Sequence, residues 1–191
     1  MSKLFIIVLA LSIPLFSCAS SKIQQPVNNI DTISEEEYEV ISTVLNYAEF
    51  DKVHTWHTPE PIFNIYQQTY LHHRLKSESG VIIENKEILL SRIERNSNTK
   101  LDISLLEDFS QKNKKAYMWE NKFSLSKHFV LVPETQEPRI EISRVGFNSD
   151  HTQAILYYGR QASLAGNGII VLLLKENNKW TIRYIFDVWV S

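Results

Sequence analysis

The clearest helical pattern in the chain begins at Ser34. Apolar side chains then recur every three or four residues, which places them on one face of a helix; they are Tyr38, Ile41, Val44, Leu45 and Ala48. The run Ser34-Glu35-Glu36-Glu37 has the spacing of a capping box, in which the Ser34 hydroxyl and the Glu37 carboxylate satisfy open backbone amides. The pattern predicts a capped amphipathic helix from about Glu35 to Phe50.

Shorter segments of regular pattern occupy the middle of the chain. Asp51 to Pro61 contains two prolines and is predicted to be a loop. Ile62 to Leu71 is rich in aromatic and β-branched residues, which favour a strand. Glu84 to Arg95 has helical spacing. Ser104-Leu105-Leu106-Glu107 has the form of a second capping box, which predicts a short helix that ends between residues 112 and 114.

From Phe123 onward the pattern is that of strands joined by short turns. Turn residues stand at Asn148-Ser149-Asp150 and at Asn177-Asn178, and short turns join antiparallel neighbours. The run Ile169 to Leu174 does not alternate, so its strand is predicted to be central and covered on both faces. The predicted strands are Phe123–Val132, Arg139–Phe147, Gln153–Arg160, Ile169–Lys175 and Trp180–Val190.

The last of these strands does alternate. One face is predicted to carry Ile182, Tyr184, Phe186 and Val188, and the other to carry Thr181, Arg183 and Asp187. Together the elements predict an α+β fold, in which N-terminal helices pack on a curved antiparallel β-sheet of about five strands.

The first residues have a different pattern, a basic residue followed by an apolar run. Lys3 precedes Leu4 to Phe16, a run of thirteen residues that only Ser12 and Pro14 interrupt. A permanent transmembrane helix needs roughly 20 apolar residues. The segment is therefore predicted to be a cleaved secretory signal peptide.

This segment ends in Leu15-Phe16-Ser17-Cys18, which resembles the lipobox of bacterial lipoproteins. The resemblance implies that a diacylglyceryl group joins the cysteine thiol through a thioether and that the signal peptidase cuts just before the cysteine. The lipidation site is therefore expected at Cys18, the only cysteine of the chain. The alternative is an ordinary signal peptide with a chance cysteine.

The resulting boundaries divide the chain into three parts. Residues 1–17 are the predicted signal peptide, residues 18–33 a flexible tether, and residues 34–191 a single α+β domain. Two or more acyl chains hold a protein stably on a membrane. The predicted location is the bacterial cell envelope, with the domain outside the cytoplasm. Ala19 in place of an aspartate resembles the pattern of lipoproteins exported to the outer membrane.

The C-terminal half carries a second resemblance. Its motifs are Ser143 to Asn148, Gln153-Ala154, Gly166 to Gly168, Lys179-Trp180 and Trp189, with looser similarity at Asp108-Phe109 and Lys112-Asn113. They resemble a group of uncharacterised secreted or lipid-anchored bacterial proteins. No activity comes with that group, so the resemblance implies an envelope location and nothing catalytic.

Composition narrows the range of partners. The formal net charge is −2, whereas a domain that binds nucleic acid is usually basic. With Cys18 lipidated, no thiol remains for a disulfide or for cysteine catalysis. The predicted partners are the membrane, through the lipid anchor, and an envelope protein or peptide; no nucleic acid is expected.

Four histidines raise the question of a metal site. His54 and His57 are three residues apart, and His72 and His73 follow the first predicted strand. Zinc needs three or four converging ligands, whereas adjacent strand residues point to opposite faces. Scattered, solvated histidines are favoured, so we predict no metal site and no cofactor. Gly166-Asn167-Gly168 lacks the features of a phosphate loop and is predicted to be a turn with positive φ angles.

Two further groups have chemical potential. Lys112 to Trp119 mixes three lysines with two aromatic residues, which would suit stacking of sugars or single strands. A helix end followed by core aromatics is the favoured interpretation. Arg144, Asp150 and His151 lie near one turn and, with Glu141, could form an acid–base group, although charged turns are usually solvated.

The sequence favours a lipid-anchored binding or structural module of the cell envelope. The alternative is an envelope hydrolase that uses histidine and carboxylates without a recognisable motif. The chain contains no G-x-S-x-G or H-E-x-x-H motif. A deep pocket with converging ionisable groups would favour the hydrolase, and a shallow apolar groove would favour binding.

The lipid anchor has a direct test. We expect Cys18→Ser to abolish acylation and release the protein from the membrane, because no other residue of the chain can form the thioether. Metabolic labelling with a palmitate analogue and membrane fractionation measure the two effects. Label that persists in the Cys18→Ser variant would contradict the lipoprotein hypothesis.

Overall fold

The computed structural model describes residues 32–47, 63–70, 86–162 and 165–190. Within these ranges the helices are α1 (Glu35–Leu45), α2 (Lys86–Ser97) and α3 (Ile103–Lys112). The strands are β1 (Phe63–Tyr66), β2 (Phe129–Val132), β3 (Arg139–Ile142), β4 (Gly146–Phe147), β5 (Gln153–Ala162), β6 (Ala165–Glu176) and β7 (Lys179–Val190).

All the described strands belong to one mixed sheet of seven strands in the order β2-β1-β3-β5-β6-β7, with β4 paired to β5. The α+β class is confirmed, but the prediction of an antiparallel sheet of about five strands is wrong. Strand β1 runs parallel to both β2 and β3. The connection from β1 to β2 carries α2 and α3, and such a long crossover brings the chain back in the same direction. The helices are therefore not all N-terminal.

Helices cover both faces of this sheet. The apolar face of α1 packs in one core cluster, and α2 and α3 pack in the other. The side chains of β6 alternate between the two clusters: Val171 and Leu173 belong to the α1 side, and Ile170 and Leu172 to the opposite side. All four are buried. Strand β6 also has a partner strand on each edge, so the prediction of a strand covered on both faces is confirmed.

Helix α1 begins as predicted. The Ser34 hydroxyl accepts a hydrogen bond from the Glu37 amide, and the Glu37 carboxylate accepts one from the Ser34 amide, which completes the capping box. The helix ends at Leu45 rather than near Phe50. Residues 48–50 lie outside the described part.

The second predicted capping box is wrong. Helix α3 begins at Ile103, and its cap is Asp102, whose carboxylate accepts a hydrogen bond from the Ser104 amide. The Ser104 hydroxyl is turned to another element, where it accepts a hydrogen bond from the Ser149 amide. Both residue types cap helices well, so local sequence did not distinguish them.

Three predicted strands are shorter or interrupted. Strand β1 has four residues, and β2 begins at Phe129 because Phe123 instead packs edge-on against the Tyr38 ring in the core. The strand predicted over 139–147 divides into β3 and β4. The intervening residues 143–145 are buried and bind side chains of α1 and α3.

The turn predicted at Gly166-Asn167-Gly168 is also wrong, because these residues belong to β6 and none of the glycines has a positive φ. Gly168 serves close packing instead. A Cβ atom at this position would collide with Nε1 of the Trp189 indole, which crosses the glycine and donates a hydrogen bond to the Tyr157 hydroxyl at 3.1 Å. The missing side chain makes room for the tryptophan.

Strand β7 departs from the predicted alternation. Its pairing with β6 shifts between Leu172 and Leu173, which are opposite Tyr184 and Ile182 respectively. Such a bulge reverses the alternation. Ile182 therefore packs on the α1 side, whereas Tyr184, Phe186 and Val188 pack on the other side.

A fully buried ion pair joins α1 to the segment between β3 and β4. The Arg144 Nε and Nη2 atoms each donate to one oxygen of Glu37 at 2.8 Å, and both side chains are 1% exposed. The Glu37 oxygens also accept hydrogen bonds from the Ser34 and Val145 amides. The guanidinium lies over the Tyr117 ring, 4.7 Å from its centroid. The buried carboxylate and the buried guanidinium thus each have further partners in addition to one another.

The same arginine binds the start of the domain. Its Nη2 donates to the Thr32 carbonyl at 2.8 Å, and Ile33 packs against the core. Both residues fall in the predicted 18–33 tether, whose remaining residues lie outside the described ranges.

Side chains at the C-terminal end of α3, including that of its cap Asn113, bind the backbone of the segment after β3. Asn113 accepts from the Arg144 amide and donates to its carbonyl, at 2.8 and 3.1 Å. Lys112 donates to the Val145 carbonyl and forms an ion pair with Asp108, at 3.2 and 2.8 Å. The Ser143 amide still bonds to the Tyr157 carbonyl of β5, whereas the Arg144 and Val145 backbone groups named here bond to side chains instead of a neighbouring strand.

Removing Glu37 tests the buried pair. We expect Glu37→Ala to lower the free energy of unfolding by about 3–5 kcal/mol, because the Arg144 charge remains buried without its partner. Urea unfolding followed by tryptophan fluorescence measures the loss.

The control for this variant is Glu35→Ala, which removes a carboxylate from the same helical turn. Glu35 pairs with Lys122 at the surface, where its side chain is 78% exposed, so we expect a loss of at most about 1 kcal/mol. The double variant Glu37→Leu with Arg144→Met leaves no buried charge and should be more stable than Glu37→Ala. Equal losses in the Glu35 and Glu37 variants would contradict this account.

Candidate functional site

The four residues considered as an acid–base group do not form one site. Arg144 is occupied by Glu37. Glu141 is buried and pairs with Arg139 at 2.8 Å, and its burial raises the pKa of its carboxyl. Only Asp150 and His151 share a surface. The sequence therefore grouped two neighbouring residues correctly and two others wrongly.

The surface shared by Asp150 and His151 is an open depression where two hairpin turns meet. One turn joins β4 to β5, and the other joins β6 to β7. The depression has a volume of about 360 Å³. We call it the turn pocket, and its lining residues are Asp150, His151, Thr152, Lys175, Asn177 and Asn178. All six side chains are polar.

A carboxylate from α1 holds one wall of the turn pocket. Glu36 Oε2 lies 2.7 Å from Nδ1 of His151, and Oε1 accepts a hydrogen bond from Nζ of Lys175, also at 2.7 Å. Because Nδ1 is occupied, Nε2 is the ring nitrogen that remains for other chemistry. Burial alone would raise the pKa of the Glu36 carboxyl, but the hydrogen bonds from Lys175 and His151 outweigh it, and the pKa lies below its usual range.

His151 has an uncommon backbone conformation. Its φ of 55° lies in the left-handed region, which glycine and asparagine adopt more readily. Its amide closes the turn by donating to the Asn148 carbonyl at 3.0 Å. The imidazole stacks on the Phe147 ring with centroids 4.8 Å apart and planes 8° apart. Backbone, stacking and the Glu36 contact together fix the ring.

The opposite wall is formed by the β6–β7 turn. Asn177 and Asn178 have φ angles of 51° and 60°, which are the values of a tight hairpin turn. Their exposed side-chain amides make no hydrogen bond within the described part of the chain. Across the pocket, Asp150 accepts from the amide and hydroxyl of Thr152, and the hydroxyl bond lowers the pKa of the Asp150 carboxyl.

A second depression of similar volume lies along the exposed side of α1. Its one lysine, Lys122, pairs with both Glu35 and Glu120, at 2.9 and 3.0 Å. The hydroxyl of Tyr38, which also lines it, accepts a hydrogen bond from the Glu120 amide. The polar groups of this surface are largely matched with each other, so we favour the turn pocket as the candidate site.

The stacking surface considered at Lys112 to Trp119 is not present. Lys112 and Trp119 are 6% and 4% exposed. Trp119 packs against Tyr38 and Phe123 in the core, and Tyr117 lies under Arg144. The favoured interpretation, a helix end followed by core aromatics, is confirmed.

The remaining candidates fall outside the described residues. These are the lipidation residue Cys18 and the histidines at positions 54, 57, 72 and 73. Among the described residues, no group of three or more His, Cys, Asp or Glu side chains is placed to hold a metal ion. No helix in the described ranges combines the length and apolarity needed to cross a membrane.

Sequence reasoning missed Glu36 and Lys175. In the sequence Glu36 stands inside the capping-box run, and Lys175 is the last residue of a predicted strand. The one available signal was the capping box, which fixes Glu37 as the residue that folds back and so turns Glu36 to another side. Nothing local indicated which side.

Comparisons with known proteins add no family: no protein-family model matches the chain, and neither a curated protein nor a solved structure matches it.

The lowered pKa of Glu36 predicts a pH dependence. A carboxyl whose pKa is lower in the folded state stabilises the fold above its unfolded pKa and loses that effect as the pH falls through the folded value. We expect Glu36→Gln to cost about 1 kcal/mol or less at pH 7, because the group is partly exposed. The difference from the unsubstituted chain should shrink below about pH 4.5.

Urea unfolding at pH 7 and pH 3 measures this change. Glu39→Gln is the matched control, since Glu39 is an exposed glutamate of the same helix. A Glu36→Gln difference that stays constant from pH 7 to pH 3 would show that the carboxylate charge does not stabilise the two turns.

Proposed function

We propose that this protein is a lipid-anchored binding module of the bacterial cell envelope, with the turn pocket as its ligand site. The anchoring part is supported by the lipobox-like sequence that ends at Cys18. The binding part is carried by the turn pocket, where several polar side chains converge in one depression.

Two side chains of the turn pocket are held in place before any ligand arrives, because Glu36 binds both the His151 ring and the Lys175 ammonium. The tight hairpin turn fixes the backbone of Asn177 and Asn178. Groups that are already ordered lose less conformational entropy on binding. Hydrogen-bonding groups in fixed positions orient a bound ligand and give a site its specificity.

The length of the predicted tether limits how far the domain can lie from the membrane. Thr32 is bound by Arg144 at the start of the domain, four residues before Glu36. Residues 19–31 separate it from Cys18, and a chain of that length reaches at most about 45 Å. An acylated Cys18 would therefore keep the start of the domain within about 45 Å of the membrane surface.

A hydrolase remains the second candidate, and the Glu36–His151 pair is the observation that favours it. Within the described ranges, His151 is the histidine with a carboxylate partner. A carboxylate on Nδ1 orients an imidazole so that Nε2 can accept a proton. Products formed from an envelope fraction by the unsubstituted chain, and not by His151→Asn, would favour this candidate over a binding module.

In-cell photocrosslinking tests the binding proposal. We expect a photoreactive residue at position 177, in the turn pocket, to give a light-dependent adduct in intact cells. Position 98 is the matched control, because Asn98 is also an exposed asparagine with a left-handed backbone, φ 51°. Adducts of equal yield at the two positions, or none at position 177, would contradict a ligand site in the turn pocket.

A further inference from the structure

The structure points to the chemical class of ligand: we infer that the turn pocket binds a neutral carbohydrate chain. This inference rests on the proposed binding function and deepens it. Three properties of the pocket carry it: the balance of its charges, the mixture of its hydrogen-bond donors and acceptors, and the flat imidazole face of His151.

The charges around the turn pocket do not favour an ion of either sign. Glu36 and Asp150 are carboxylates, and Lys175 is an ammonium that already pairs with Glu36. Beyond the rim, Glu176 and Lys179 are exposed residues of opposite sign. A site selects charged ligands when one sign dominates its field. Here an anion would meet Asp150 and a cation would meet Lys175.

The hydrogen-bonding groups suit hydroxyls. Each asparagine amide offers a donor and an acceptor, the Asp150 carboxylate accepts, and the Lys175 ammonium has donors beyond the one that it gives to Glu36. A sugar hydroxyl both donates and accepts. Sugar hydroxyls can therefore pair with both the donors and the acceptors of the turn pocket. A ligand that has only donors or only acceptors would leave some of these groups without a partner.

His151 supplies the stacking surface. One face of its imidazole lies on Phe147, so the other face is the one that a ligand can meet, and the side chain is 35% exposed. The flat face of a pyranose ring can lie on such a surface. A peptide is less suited, since side-chain recognition uses apolar pockets and none of the residues that line the turn pocket is apolar.

Ligand-observed NMR with the full chain in detergent tests the inference. The probes are soluble tetramers of glucose, galactose and N-acetylglucosamine, with a tetra-alanine amide as the peptide probe. We expect saturation transfer to at least one of the sugar tetramers and none to the peptide.

Two variants place the binding in the turn pocket while keeping left-handed backbone angles accessible. Asn178→Gly removes one amide, and His151→Gly removes the stacking face; each should weaken binding at least tenfold. Asn98→Gly, the same change at a turn outside the pocket, should leave binding unchanged.

Three results would overturn the inference. One is silence of every sugar tetramer, the second is binding of the peptide in their place, and the third is sugar binding that Asn178→Gly and His151→Gly leave at the original strength. If any of these occurs while position 177 still crosslinks in cells, only the assignment of a carbohydrate to the turn pocket fails. If position 177 gives no adduct either, the proposed function fails with it.

Discussion

The fold depends on one buried pair of opposite charges. Glu37 and Arg144 are almost completely shielded from water, and such a pair is tolerated only when its remaining hydrogen-bonding capacity is met. Here the capping serine, a backbone amide after β3, the Thr32 carbonyl and the Tyr117 ring all contribute. A single interaction therefore fixes the start of the domain, the first turn of α1 and the path of the chain between two strands.

This constraint also sets the position of the candidate site. Once Glu37 points into the core, Glu36 must point elsewhere on the helix. In this fold its carboxylate reaches the ends of two hairpins and binds His151 and Lys175. The two turns come from β-strands whose register is fixed by the core, and α1 is fixed by Arg144. The turn pocket is thus held from both sides by elements that the core has already positioned.

Elements with strong local signals were predictable from sequence. The Ser34–Glu37 box, the two-asparagine turn before β7 and the apolar run of β6 each determine structure within a few residues. Features that depend on distant partners were not. The parallel pairing of β1 requires knowing where a long crossover returns. Gly168 appeared to be a turn glycine because its reason, the indole of Trp189, lies on another strand.

The candidate site divides in the same way. Asp150 and His151 were placed together because they are neighbours in one turn, whereas Arg144 and Glu141 were added from sequence proximity and are taken up by other partners. Which partners Arg144 and Glu141 contact depends on the path of the strands, and that path is a tertiary property. Glu36 and Lys175, 139 residues apart, had no sequence signal that could join them.

The turn pocket is an open depression, so burial of apolar surface would contribute little to the binding proposed for it. Several groups of the turn pocket are instead ordered by their contacts within the fold. The Glu36 carboxylate restricts Lys175, a side chain with much rotamer freedom to lose, and the left-handed φ angles fix the backbone of the two asparagines. His151 has a backbone conformation that glycine adopts more easily. Its ring stacks on Phe147 and is oriented by Glu36. Within the described part of the chain, the stacking contact and the Glu36 contact thus hold a ring at the edge of the depression at a backbone angle that few side chains adopt.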